Sequence, residues 1–184
     1  MIIIGLSGKK LSGKDTVYEL AAELIGSGKR IGRVAFADPL KQEVSEITGM
    51  RIEFIEEHKC EFRSLLQVWG TEFRRRFNGN DYWINKMGEI IKKSSDHFDV
   101  IFITDVRFKN EADFIREQGG QVVRVERRQF DTYPGEIDTH ATEKDMDDYS
   151  QFAYVLNNDK TKEILTRSVS TMLETLGVDL KNAA

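Results

Sequence analysis

Gly8-Lys9-Lys10-Leu11-Ser12-Gly13-Lys14-Asp15-Thr16 has the residue types and spacing of a phosphate cradle. Gly8, Gly13 and Lys14 fill three of the four fixed positions of G-x-x-x-x-G-K-[ST]; the fourth holds Asp15, with Thr16 one step later. Glycines let a backbone curl until several N–H groups face one centre. A helix opening near Gly13 adds unpaired N–H groups and the positive end of its dipole. Lys14 brings a mobile cation to the β- and γ-phosphates, and Lys9 and Lys10 add charge nearby. Ser12 completes the turn. A carboxylate at 15 can reach Mg²⁺ directly or through water, and Thr16 can assist; the residues alone do not choose between them.

Two further groups have chemistry in their spacing. Asp105 and Arg107 follow the apolar run Val100–Ile103. A carboxylate at a strand end facing a phosphate loop suits Mg²⁺ or its water shell, and an arginine two residues on suits a phosphoryl group. Arg63, Gln67, Gly70 and Arg74 fall within roughly 60° of one another at about 100° per residue, one polar stripe of a helix over 61–77. The apolar residues Phe62, Leu65, Leu66, Trp69 and Phe73 form another stripe, and by this count Trp69 belongs to a core rather than to a base-stacking platform. The polar stripe reads as a solvated face or as the wall of a cleft. Arg124, Arg127 and Arg128 lead into a polar stretch with Pro134-Gly135, a surface loop or a lid over about 127–142. His140 stands among good capping residues, which favours local hydrogen bonding over a role as a base.

The elements that must hold these groups alternate. Residues 2–7 predict a buried central strand and Lys14–Ile25 a helix. Val34–Ala37 predicts a second strand, followed by a helix capped by Asp38 with Pro39 at its first position. Helices over 61–77, from Asp81 onwards and over 108–118, strands over 100–103, 121–126 and 152–156, and a closing helix over 162–176 complete the pattern. Strands alternating with helices imply a parallel sheet covered on both faces, with ligands at the carboxyl ends of the strands.

The 184 residues predict a single domain, 1–184, with a sizeable core. Hydrophobic content of 40% and charged content of 32% are ordinary for a globular chain. A net charge of -4, without long like-charge runs, argues against nucleic acid or anionic membrane as partners. The single cysteine, Cys60, excludes an intramolecular disulfide and reads as a buried small hydrophobe. No run reaches the ~18 apolar residues of a membrane span. A cytoplasmic protein is expected.

Five motifs in order carry a resemblance. They are Ser12-Gly13-Lys14-Asp15-Thr16; Phe36-Ala37-Asp38-Pro39-Leu40-Lys41; Gln67-x-x-Gly70-Thr71 with Tyr82-Trp83; Asp105-Val106-Arg107-x-x-Asn110-Glu111; and Asp138-Thr139-His140-x-x-Glu143. From residue 2 to about residue 160 the chain resembles the phage-type deoxynucleoside monophosphate kinases, within the adenylate-kinase-like P-loop kinases. Asp15 is what that family carries there.

The resemblance implies a three-layer P-loop NTPase fold with a five-stranded sheet in the order 2-3-1-4-5, an acceptor-binding helical segment over about 38–80 and a lid. It implies transfer of the γ-phosphate of ATP, with Mg²⁺, to a deoxynucleoside monophosphate. It assigns Gly8 to Thr16, with Lys14, to the donor phosphates; Asp15, Thr16 and Asp105 to the metal; Arg107 to the transferring or acceptor phosphate; and Arg127 and Arg128 to the lid. Asp38, Lys41, Arg63, Gln67, Trp69, Arg74 and His140 become acceptor-side contacts. The acceptor oxygen is already anionic near neutral pH, so no protein base is required. Small nucleotides are the implied partners, in the host cytoplasm if the chain is phage-encoded; monomer or homodimer is left open. Two other readings compete: a P-loop kinase of another phosphorylated small molecule, such as phosphomevalonate, and a nucleotide-binding regulatory or accessory ATPase.

Overall fold

A computed structural model of the chain describes residues 1–127 and 144–181. Five parallel strands, β1 (Ile2–Ser7), β2 (Ile31–Val34), β3 (Val100–Val106), β4 (Gln121–Glu126) and β5 (Tyr154–Asn157), form one sheet in the order β2-β3-β1-β4-β5. This is the order 2-3-1-4-5 of the P-loop kinase fold.

Side chains alternate across a strand, and β1 shows what each face meets. Ile4 and Leu6 pack with Val17, Leu20, Ala21 and Ile25 of α1 (Lys14–Ile25). The same core takes in Leu165, Val169, Met172 and Leu173 of the last helix, numbered α8 (Lys162–Thr175). On the opposite face, a Cβ at Gly5 would lie 2.7 Å from Ile115 of α7 (Lys109–Glu117). Helices therefore cover both faces, and β1, near-continuously apolar, is buried between them.

The register of β1 with β3 slips at the top. Gly5 pairs with Ile103 but Ser7 with Val106, so β3 carries one extra residue across Thr104 and Asp105. Such a bulge re-aims side chains at the strand end. It falls where Asp105 and Arg107 leave the sheet.

The chain forms two compact units, Met1–Val34 with Ser94–Ala184, and Ala35–Lys93. The second is helical: α2 (Ala37–Thr48), α3 (Ile52–Glu57), α4 (Lys59–Gln67), a π-helical turn (Val68–Arg75), α5 (Arg76–Asn78) and most of α6 (Tyr82–Ser94). The segment expected to bind the acceptor, about 38–80, lies inside it.

Several expectations are corrected here. The second strand is Ile31–Val34, not Val34–Ala37, because the Asp38 carboxylate accepts the Ala35 N–H at 2.7 Å and α2 opens at Ala37. Gly32 sits mid-strand because the Phe98 ring lies 2.9 Å from where its Cβ would be. The helix over 61–77 is interrupted by the π-helical turn, which changes which side faces inward. Leu65, Val68, Phe73 and Phe77 are exposed, whereas Gly70 and Arg75 are buried. Cys60 is exposed rather than buried, on a helix with no buried residue. The last strand is Tyr154–Asn157 rather than 152–156.

Candidate active site

In the first unit the site is built on the loop between β1 and α1. Gly8 (φ 154°) and Gly13 (φ 93°) adopt backbone that side-chain-bearing residues avoid, and Leu11 (φ 63°) joins them. Space reinforces the choice of glycine. A Cβ on Gly8 would meet the Val125 carbonyl at 2.4 Å and Ser12 Oγ at 2.6 Å; one on Gly13 would meet Asn158 Nδ2 at 2.2 Å. Lys14 folds across the loop, its Nζ donating to the Gly8 carbonyl (2.6 Å), the Lys9 carbonyl (2.9 Å) and Ser12 Oγ (3.4 Å). Gly13 caps α1 without a side-chain hydrogen bond, leaving a helix N-terminus open to an anion.

The strand ends beside the loop supply the rest. Ser7, Gly8, Lys9, Val106, Arg107, Arg124 and Met146 line one recess. Arg124 pairs with Ser7 in the β1–β4 register; its guanidinium lies 5.7 Å from the centre of the Phe152 ring and 3.5 Å from Asp147. Asp147 also stands 3.7 Å from Lys9, bridging two of the cations around the recess. The backbone of Arg107 is fixed by Glu111, a buried carboxylate that accepts the N–H groups of Arg107 (2.8 Å) and Phe108 (3.2 Å). Asp105 and Arg107 are both half-buried.

Ser7 Oγ is buried and has no hydrogen-bond partner among the described residues. A buried orphan hydroxyl costs free energy unless something bonds to it. Here it faces a recess with two arginines, a lysine and a glycine-rich backbone, a donor set suited to phosphoryl oxygens. These residues fit a nucleoside polyphosphate.

Asp15 points elsewhere. Its exposed carboxylate pairs with Arg33 of β2 at 3.0 Å. Lys10 is exposed and Thr16 half-buried in the first turn of α1. Arg127 is described, just past β4, whereas Arg128 and His140, with the rest of the expected lid, lie outside the described residues.

In the second unit the centre is Glu43 of α2, which the sequence reading did not single out. Its carboxylate accepts the Tyr82 hydroxyl, Trp69 Nε1 (3.0 Å) and Arg74 Nε (2.7 Å). The Arg74 guanidinium lies 5.3 Å from the Trp69 ring centre and 5.0 Å from that of Tyr82. Burial pushes the Glu43 carboxyl up, but the hydrogen bonds from Tyr82, Trp69 and Arg74 outweigh it and hold it below its ordinary value. The Tyr82 phenol is pushed up, by burial and by its bond to Glu43. Trp69, half-buried and stacked on Phe73 at 4.6 Å, is not a core residue.

Gly70 is no gap in a cleft wall. Leu40 packs 3.0 Å from where its Cβ would be, and its carbonyl accepts Trp83 Nε1 at 2.9 Å. Lys41 pairs with Glu56 and stands 4.0 Å from Asp38, while Arg63 and Gln67 sit half-buried on α4.

The comparisons with known proteins follow this geometry. The family model for deoxynucleotide monophosphate kinase matches residues 49–169. A protein of Acanthamoeba polyphaga mimivirus, provisionally named a deoxynucleotide monophosphate kinase, is 33% identical over 191 aligned residues, covering 89% of this chain and 91% of that one. The chain belongs to the deoxynucleotide monophosphate kinase family. It is a P-loop kinase, a phosphotransferase of the nucleoside monophosphate kinase type. Phosphomevalonate kinase of Drosophila melanogaster is 28% identical, covering 96% of this chain and 97% of that one. Among solved structures, shikimate kinase from Aquifex aeolicus vf5 aligns with a TM-score of 0.49 and 19% identity, over 94% of this chain and 96% of that one. Among the described residues no helix is long and apolar enough to cross a membrane.

Three residues around the loop, and Glu43 in the helical unit, escaped the sequence reading or were left without a role. Ser7 and Asn158 are ordinary polar residues at strand ends, and the rule that ligands gather there was the signal for them. Arg124 read only as a lead into the lid; its alternation within β4 was the cue to its direction. Glu43 had no cue, since its three donors are 26 to 39 residues away in sequence.

Proposed function

We propose that this kinase transfers the γ-phosphate of ATP to a deoxynucleoside monophosphate, giving the diphosphate. The reading rests on one observation above all. A Gly8–Gly13 loop with Lys14 inside it opens beside a buried unpaired Ser7 hydroxyl and two arginines from neighbouring strand ends. Membership of the deoxynucleotide monophosphate kinase family supplies the acceptor class.

In this reading Lys14 leaves the carbonyls of Gly8 and Lys9 for the donor phosphates. The loop N–H groups and the α1 N-terminus bind them too. Arg107, its backbone held by Glu111, and Arg124, held over Phe152, neutralise the charge that spreads over the phosphoryl oxygens. Asp147 is then the resting counter-ion of Lys9 and Arg124. Bound Mg²⁺ would neutralise and orient the phosphate chain, held by phosphate oxygens and water with Thr16 and Asp105 on the protein side. Among the described residues no three acidic, histidine or cysteine side chains gather as a metal cage, and a cation of this kind needs none. Asp15, engaged by Arg33, serves the architecture of α1 and β2. On the acceptor side, Glu43 holds Trp69, Tyr82 and Arg74 as one rigid group, with Lys41, Arg63 and Gln67 on the same helical unit. In this scheme Arg127 and Arg128 neutralise charge during transfer.

The test is an acceptor panel with ATP and Mg²⁺: the deoxynucleoside monophosphates, their ribose counterparts and phosphomevalonate. Turnover of at least one deoxynucleoside monophosphate, with little ATP hydrolysis until acceptor is added, is the expected outcome. Turnover of phosphomevalonate alone would move the chain to the second reading, which its likeness to the Drosophila enzyme favours. Acceptor-independent hydrolysis would make it an ATPase.

A further inference from the structure

Asn158 stands one residue past β5 and is buried. Its own N–H donates to the Glu126 carbonyl at 2.7 Å, fixing it to the end of β4. Its side-chain Nδ2 donates to the Ser12 carbonyl at 2.9 Å, 146 residues away in sequence. We propose that Asn158 is a positioning residue for the donor phosphates, holding the Ser12–Gly13 peptide so that the Gly13 N–H faces the polyphosphate. The inference rests on the donor-site reading above.

In a trans peptide the C=O and the next N–H point in opposite directions. Drawing the Ser12 oxygen toward Asn158 therefore turns the Gly13 N–H away from Asn158. Without that anchor, the peptide before a glycine at φ 93° rotates freely, and a flip would present a carbonyl oxygen to the phosphates instead of an N–H. The fit is close on both sides. Among the described residues, the only atoms a Cβ at Gly13 would meet are Nδ2 and Cγ of Asn158, at 2.2 and 3.5 Å. Glycine at 13 and asparagine at 158 are thus a matched pair. Aspartate would have the shape but no N–H to donate, and would bring a negative charge beside the loop.

The experiment compares wild type with Asn158→Leu, neutral and branched alike at Cγ but without the amide, and Asn158→Asp, isosteric without the donor. Binding of ATP, of inorganic tripolyphosphate and of adenosine is measured by calorimetry without acceptor. Steady-state KM values for ATP and acceptor and thermal melts accompany it. The expected result is about a tenfold weaker binding of ATP and tripolyphosphate in Asn158→Leu, and more in Asn158→Asp. Adenosine binding and the acceptor KM should not change. Unchanged tripolyphosphate binding in folded variants would overturn the inference and leave the donor site standing, as would a lower melting temperature with both KM values moved alike. A wild-type protein that binds neither ATP nor tripolyphosphate would overturn the donor-site reading and this inference with it. If Asn158→Leu does not fold, Asn158→Asp carries the comparison.

Discussion

The phosphate loop and the helical unit Ala35–Lys93 are built on opposite principles. In the loop, main-chain shape is set by glycines, which signal themselves by type and spacing, and the Lys14 side chain folds across it. In the helical unit, the central device is a side-chain carboxylate, Glu43, whose donors come from the π-helical turn and from α6. Backbone devices are written in consecutive residues; side-chain hubs are assembled from distant ones. A loop of the first kind should fail when a backbone position changes. A hub of the second kind should fail only when its central group does.

The most severe break should come from Lys14→Ala. Phosphoryl transfer is expected to fall by about 10²–10³-fold or more, the scale of a lost transition-state contact, with the thermal melt preserved. Wild-type-like turnover would remove the loop from the mechanism. Arg107→Ala should follow, lowering kcat by about 10²-fold, with its backbone N–H still held by the Glu111 carboxylate. A change confined to the melting temperature would make Arg107 structural.

Gly13→Ala tests the backbone principle directly. It should cost about 1–2 kcal/mol from the left-handed conformation alone, plus the clash with Asn158, and raise KM for ATP. Glu43→Gln tests the hub. Stability should fall by about 1–3 kcal/mol in a denaturant titration, because Arg74 loses its counter-charge, and the acceptor KM should rise while that for ATP holds. The pH dependence carries a sign. The Glu43 carboxyl is lowered in the folded state, so its contribution is full above the ordinary value of 4.5 and is lost as pH falls toward the lowered one. Glu43→Gln should flatten that part of the profile.

The smallest effect belongs to neither region. Asp99 accepts the Arg30 side chain and N–H at the entry of β2 and β3, which lowers its carboxyl to about 2. Its stabilisation is present above 3.8 and disappears between 3.8 and about 2, so Asp99→Asn should differ from wild type only above that window.

The same contrast explains what could be read in advance. The loop and the helix after it follow from apolar runs and glycine placement; the strand order is what the family resemblance implies, and the sheet has that order. The second strand was misplaced because Gly32 weakens its pattern, while Val34–Ala37 looks apolar but is turned by Asp38 into a helix start. The 61–77 helix was read at 100° per residue, a period that the π-helical turn breaks. Arg75 is buried there, its guanidinium donating to the Asn80 carbonyl at 3.1 Å. Cys60 reads as buried from its residue type alone, and it lies exposed on α4. The bulge at Thr104–Asp105 and the anchoring of Ser12 by Asn158 are pairings between distant segments, which a periodicity cannot report.

The sheet order also sets a timetable for the newly made chain. β1, made before the other four strands of the sheet, takes its place between β3 and β4, and so waits for residues 100–106 and 121–126. Ala35–Lys93 is synthesised during that wait, with its internal contacts already available. Asn158 arrives later still. At roughly 5–20 residues per second, β1 and the loop after it spend many seconds as an exposed apolar strand and an unshaped glycine loop. A nascent chain that ends before Asn158 should therefore lack a finished nucleotide cradle, however well its helical segment has folded.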